Sequence, residues 1–182
     1  LREKTSGESI AVEVNSRAPA FAARALGGGT ARLSDFIGNH VVLVEFWSIF
    51  CKSCIEEMPA IKELHNKYKS EGLAILSVNT DVFSDKKVAS VLTKAGIKFD
   101  YPVLRDTRQE IATYYNVELL PITVIIDRAG YIRLYQEGYR PGDEARFEET
   151  IKKLLRSGRE EDVTLAPHDG VTAFAPAGTQ LV

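Results

Sequence analysis

Residues 41–61 read VVLVEFWSIFCKSCIEEMPAI, and two patterns meet inside them. Val41 to Trp47 is a β-branched and aromatic run without alternation, the pattern of a strand covered on both faces within an α/β sheet. From Cys51 to Lys69 the apolar residues Ile55, Met58, Ile61, Leu64 and Tyr68 recur at steps of three and four, which predicts a long amphipathic helix with Pro59 inside it. The chain has two cysteines, and both, Cys51 and Cys54, stand at the junction. They are a metal clip, a structural staple or a reactive pair.

The spacing argues against the first. A zinc site needs four ligands, and of the remaining candidates His40, His65 and His168 none sits at ligand spacing. Attachment of a c-type haem requires histidine directly after the second cysteine, where this chain has Ile55. A Cys-x-x-Cys pair on the first turn of a helix places its first sulfur among unpaired backbone N–H groups at the positive end of the helix dipole, which favours thiolate over thiol. Cys51 is therefore expected to be the exposed nucleophile, Lys52 a neighbouring positive charge, and Cys54, one turn in, the buried resolving thiol. A pair of inert core thiols or a static disulfide is the bland alternative.

Working outward, Ala18-Pro19-Ala20 ends a polar lead-in over 1–17 that Pro19 keeps out of helix. FAARAL and TARL are short strands joined through Gly27-Gly28-Gly29, and LSDFIG is one helical turn with Ser34 as its cap. LAILSVNTD (73–81) predicts a second buried strand, and 84–95 a helix capped by Ser84 and stopped by Gly96. YPVLRD is a short strand before a helix over about 107–115, and ITVIID (122–127) and YIRLYQEG pair as a hairpin around RAG. The last helix is expected over Asp143 to Arg156, and after Ser157-Gly158 the composition changes to that of an extended tail over 158–182. One domain, 18–157, suits a chain of 182 residues with 45% hydrophobic content.

Composition excludes other classes. A net charge of −2, with basic residues scattered among acids, leaves no footprint for nucleic acid. No apolar stretch approaches the ~18 residues needed to span a bilayer. The first residue is Leu1 rather than Met, so removal of an upstream segment, and through it a membrane anchor, is expected.

VVLVEFWSIFCKSCIEEMPAI resembles the active-site stretch of the thioredoxin superfamily, most closely its TlpA/ResA-like periplasmic branch. The likeness covers 18–156: APAFAARALGGGTARLSDFIG resembles that branch's N-terminal hairpin, LAILSVNTD and YPVLRD its inserted helix-strand unit, and LLPITVIIDRAGYI its proline loop and hairpin. The resemblance implies a thioredoxin-like fold, a mixed central sheet flanked by helices, with an N-terminal β-hairpin extension and that insertion. It implies no cofactor beyond a redox-active Cys51–Cys54 disulfide. It makes Pro121, after Leu120, the cis-proline whose loop faces the cysteines and pairs with substrate backbone; Trp47, Lys52 and Ser53, next to the cysteines in sequence, are expected to contact the substrate as well. Glu45 matches the buried acid that exchanges a proton with the resolving thiol, its alternative being an edge position reaching solvent. Glu57 matches a glutamate near the active site, its alternative being a solvated neighbour of Glu56. The partners implied are disulfide-containing client proteins, apocytochrome c among them, and a membrane thiol-disulfide electron donor, in an extracytoplasmic compartment.

Three departures bear on potential and partner choice: Phe50 where tryptophan is usual, Lys52-Ser53 inside the motif, and Leu119 where glycine is common. Two other readings share the fold. A peroxiredoxin requires Pro-x-x-x-Thr-x-x-Cys, which the residues before Cys51 lack. A Sco-like copper-binding assembly protein would use two thiolates and a core histidine at a wider cysteine spacing.

Overall fold

The computed structural model describes residues 12–164, with side chains described to Ser157. The earlier part of the lead-in and the tail beyond Thr164 lie outside the described residues. The order is β1 (Ala22–Arg24), β2 (Thr30–Arg32), β3 (Val41–Trp47), α1 (Lys52–Tyr68), β4 (Leu73–Asn79), α2 (Asp85–Lys94), β5 (Val103–Arg105), α3 (Glu110–Tyr114), β6 (Ile122–Ile126), β7 (Ile132–Glu137) and α4 (Asp143–Thr164). Five strands form one mixed sheet in the order β5-β4-β3-β6-β7, with β1 and β2 as a separate antiparallel hairpin. β3 runs parallel to β4 and antiparallel to β6, so the strand without alternation is the central one. The thioredoxin-like architecture is thus present, with its N-terminal hairpin and its inserted α2-β5 unit.

Every residue of β3 is buried, because both of its faces are covered. Val42, Val44 and Phe46 face a core completed by Leu76, Val78, Ile122, Val124 and Tyr115. Val41 and Leu43 face Ile61, Leu64 and Tyr68 of α1 and Phe147, Ile151 and Leu155 of α4. Each such side chain contributes about 1.5–3 kcal/mol by leaving water, so the two apolar layers clamp β3 and fix what lies at its C-terminal end. The return from α1 into β4 turns on Gly72, whose φ of 104° suits glycine and whose Cβ, were there one, would meet Arg128 Nη2 at 3.3 Å. The hairpin docks through a bridge between Ala25 and Leu104 of β5.

Three boundaries differ from expectation. The turn after β2 is a 3-10 turn over Leu33–Asp35, so Ser34 lies inside it, and the capping carboxylate is Asp35, which accepts the Arg32 N–H at 3.0 Å. α3 starts only at Glu110, since Gln109 takes a left-handed φ of 56° after a turn closed by Gln109 N–H to Asp106 O. α4 continues through Ser157-Gly158 to Thr164: one glycine costs a helix only about 1 kcal/mol, and the charged Arg159-Glu160-Glu161 that follows is compatible with helix. Ser84 caps α2 as expected, accepting the Lys87 N–H.

Candidate active site

The site is built where β3 ends and α1 begins. Trp47 leaves the sheet, Ser48 to Cys51 form a turn closed by Cys51 N–H to Ser48 O at 3.1 Å, and Cys51 becomes the N-cap of α1. Its Sγ accepts the Cys54 N–H at 3.2 Å and lies 3.5 Å from Ser53 Oγ. The two sulfurs form a disulfide, Cys51–Cys54, at 2.07 Å. They are unequal: Cys51 is partly exposed, whereas Cys54 is 1% exposed beside Trp47 and Met58. On reduction, the outer sulfur stands where first-turn N–H groups stabilise a thiolate, and the inner one is shielded from partners.

Beneath this pair lies a polar row in an otherwise apolar layer. Glu45 is directly opposite Ser77 on β4 and Thr123 on β6, so the three side chains share the face that meets α1. From α1, Glu57 reaches the same row and accepts the Thr123 hydroxyl at 2.7 Å. Glu45 and Glu57 are each 1% exposed. Burial pushes the Glu45 carboxyl up to about 7, with Ser77 drawing it part of the way back. Burial, then the Glu45 charge, push Glu57 up to about 8 against the opposing Thr123 hydrogen bond. Both solvent-exposed alternatives are therefore overturned: Glu45 is on the central strand, and Glu57 shares the buried helix face of Cys54, three residues earlier. Two buried carboxyls raised toward neutrality, one of them an i, i+3 neighbour of Cys54 on α1, are suited to take up and return a proton.

The remaining predicted residues fall into two groups. The Leu120–Pro121 peptide is cis, and Leu120 packs against the cluster that holds both cysteines. Lys52 is exposed, 3.5 Å from Glu56 in a helical i, i+4 pair, and Ser53 stays beside Cys51. Trp47 is displaced from the expected substrate surface: it is 1% exposed, and its indole N–H donates to Ser77 Oγ at 2.8 Å, because strand alternation points it at α1. Phe50, by contrast, is 70% exposed and meets Phe83 edge to face at 5.4 Å, and Leu119 is also exposed. Sequence reading missed Ser77 and Thr123, although both flank Glu45 once three strands are set in register.

The histidines do not assemble with the sulfurs. His40 precedes β3 and Cys51 follows it, so they lie at opposite ends of the strand, and His65 is eleven residues beyond Cys54, about 16 Å along α1. His65 instead pairs with Asp100 at 3.2 Å, and His168 lies outside the described residues. No cluster of three or more potential metal ligands occurs among the described residues.

Comparison with known proteins agrees with this geometry. The AhpC/TSA family profile matches residues 14–135. The chain is similar to the thiol-disulfide oxidoreductase ResA of Geobacillus kaustophilus, 36% identical over 126 residues that cover 69% of this chain and 70% of the relative. It is also similar to ResA of Bacillus thuringiensis, 35% identical over 143 residues, 79% of each. Among solved structures, a DsbE-type thiol:disulfide interchange protein of Chlorobium tepidum superposes with a TM-score of 0.73 at 28% identity, covering 80% of this chain and 99% of that one. A partly exposed Cys-x-x-Cys disulfide capping a helix, on a fold shared with these enzymes, is the working part of a thiol-disulfide oxidoreductase, and the chain belongs to the AhpC/TSA family as a member of its ResA-like, thioredoxin-fold branch.

Proposed function

We propose that the protein reduces disulfides in client proteins, with Cys51 as nucleophile and Cys54 as resolving thiol. The Cys51 thiolate attacks one sulfur of the client disulfide and expels the other as a thiolate, leaving a mixed disulfide. Cys54, its proton passed to the Glu45–Glu57 pair, then attacks the Cys51 sulfur and releases the second client thiolate. The client gains two electrons and the pair returns to the Cys51–Cys54 disulfide seen here. The loop at Leu120–Pro121 is where the client backbone would align, with Lys52 and Ser53 at the rim. A dithiol protein must restore the electrons, and a membrane thiol-disulfide carrier fills that role. The compartment is extracytoplasmic, where such disulfides persist, and apocytochrome c, which presents a cysteine pair, is the proposed client.

The observation that carries this reading is the asymmetry of the two sulfurs, one partly exposed on a helix N-cap and one buried. Reduced Cys54→Ser protein mixed with an oxidised Cys-x-x-Cys-His peptide should accumulate a mixed disulfide at Cys51. Capture through residue 54 in a Cys51→Ser variant, with none through Cys51, would reverse the roles.

A further inference from the structure

Behind the turn that carries Cys51 lies a buried polar chain which the exchange chemistry does not use. Asp81, just past the end of β4, is 6% exposed. Its Oδ1 accepts the Ser48 hydroxyl at 2.7 Å, and its Oδ2 accepts the Ile49 N–H at 2.9 Å and the Asn79 Nδ2–H at 2.7 Å. Ser48 passes the constraint on: its Oγ accepts the Phe50 N–H at 3.2 Å and its carbonyl accepts that of Cys51. Three successive amides, those of Ile49, Phe50 and the N-cap Cys51 itself, are thus committed to Asp81 or to the serine that Asp81 holds. On its other side Asn79 Oδ1 accepts from Arg105, whose guanidinium also donates to the Phe83 carbonyl and, at 3.0 Å, to Asp85. Asp85 in turn accepts from Arg24 of the hairpin at 2.7 Å.

We propose that Asp81 is a positioning residue for Cys51, the near end of a brace, Arg24–Asp85–Arg105–Asn79–Asp81, through which the hairpin and the α2-β5 insertion hold the redox turn. A turn of four residues after a strand has several available conformations, and only one places Sγ over the first-turn N–H groups. A buried carboxyl with three donors on two oxygens selects that one, and Arg105, donating to Asn79 Oδ1, holds in place the amide that donates to Asp81. The brace also gives the elements added to the core a role at the site, since Arg24 lies on β1 and Arg105 on β5. The inference rests on Cys51 being the attacking thiol.

The test separates geometry from charge. In the reduced full chain, the Cys51 thiol pKa is read from the pH dependence of its alkylation rate, the labelled cysteine being identified by mass. Asp81→Ala removes both oxygens, frees the Ile49 amide and lets Sγ leave the cap, so the pKa should rise by about half a unit to one unit, lowering the thiolate fraction at acidic pH about three- to tenfold. Asp81→Asn keeps an acceptor for Ile49 and an amide that Ser48 Oγ can accept, while removing a nearby negative charge, so its pKa should equal or fall below the wild-type value. A role through charge alone moves both variants down, and a purely structural role lowers denaturant resistance without moving the thiol; either result overturns the brace. If Asp81→Ala does not fold, Ser48→Ala, which cuts one arm and keeps the charge, should also raise the pKa, and an unchanged value there is equally fatal. Wild-type labelling at Cys54 instead of Cys51 would sink the reading on which the inference rests, whereas the variant results bear on the brace alone.

Discussion

The two faces of β3 are built from alternate residues of one seven-residue strand, yet they do different work. Val42, Val44 and Phe46 enter a layer of aliphatic and aromatic side chains whose Tyr115 hydroxyl is satisfied by the Pro19 carbonyl. Val41, Leu43, Glu45 and Trp47 face α1, and along that face polarity appears only toward the disulfide: first two aliphatics, then a buried carboxyl, then an indole whose N–H needs Ser77. Unpaired buried polarity is costly, and Glu45 Oε1 has no hydrogen-bond partner among the described residues. On β3 that cost falls on one face, toward the end that leads into the redox turn. Side-chain alternation thus gives one strand an apolar face and a second face that turns polar toward the disulfide.

Substitutions on each face can break or sharpen this contrast. Phe46→Ala should have the largest effect, destabilising the protein by about 3–5 kcal/mol in urea titration, equally in the oxidised and reduced forms, because it opens a cavity on the face of β3 opposite Glu45 and Trp47. A redox-dependent loss would show the faces to be coupled. Glu45→Gln should act in the opposite direction. The folded protein holds this carboxyl up at about 7 against 4.5 for the ordinary group, so it keeps a proton that the unfolded chain releases, and stability falls as pH rises from about 4.5 to 7. The glutamine variant should be more stable than wild type well above pH 7 by about 3 kcal/mol, equal to it near pH 4, and slower in disulfide exchange. Ser77→Ala leaves the Trp47 indole unpaired in the interior and should cost about 1–3 kcal/mol by the same titration. Phe50→Ala should change stability least, within about 1 kcal/mol, since only its edge contact with Phe83 is lost. Its effect should appear instead as a raised KM for protein clients with an unchanged rate toward small disulfides.

The strand Val41–Trp47, the Cys-x-x-Cys helix and the hairpins were legible because each rests on local periodicity or on turn residues adjacent in sequence. Glu57 was legible in principle: Cys54, Glu57, Met58 and Ile61 follow i, i+3, i+4, i+7, which places the acid on the buried face, but the neighbouring Glu56 masks the signal. Trp47 was misplaced because nearness in sequence to the cysteines was read as nearness to the substrate, while alternation from Leu43 and Glu45 already directs it inward. Ser77, Thr123 and Asp81 were not legible, since each matters through a residue at least thirty positions away, and register between strands is set by packing that no single segment encodes. The extension of α4 beyond Gly158 escaped because composition signals a tail where backbone propensity still permits helix.

The most direct test of the account is a redox titration of the Cys51–Cys54 couple in thiol-disulfide buffers, followed by alkylation of the free thiols and by the fluorescence of the adjacent Trp47. The account predicts a reversible two-electron couple near or below about −270 mV at neutral pH, as suits a reductant. A couple near about −120 mV would mark an oxidant that inserts disulfides, and a pair that cannot be cycled would contradict the exchange mechanism itself.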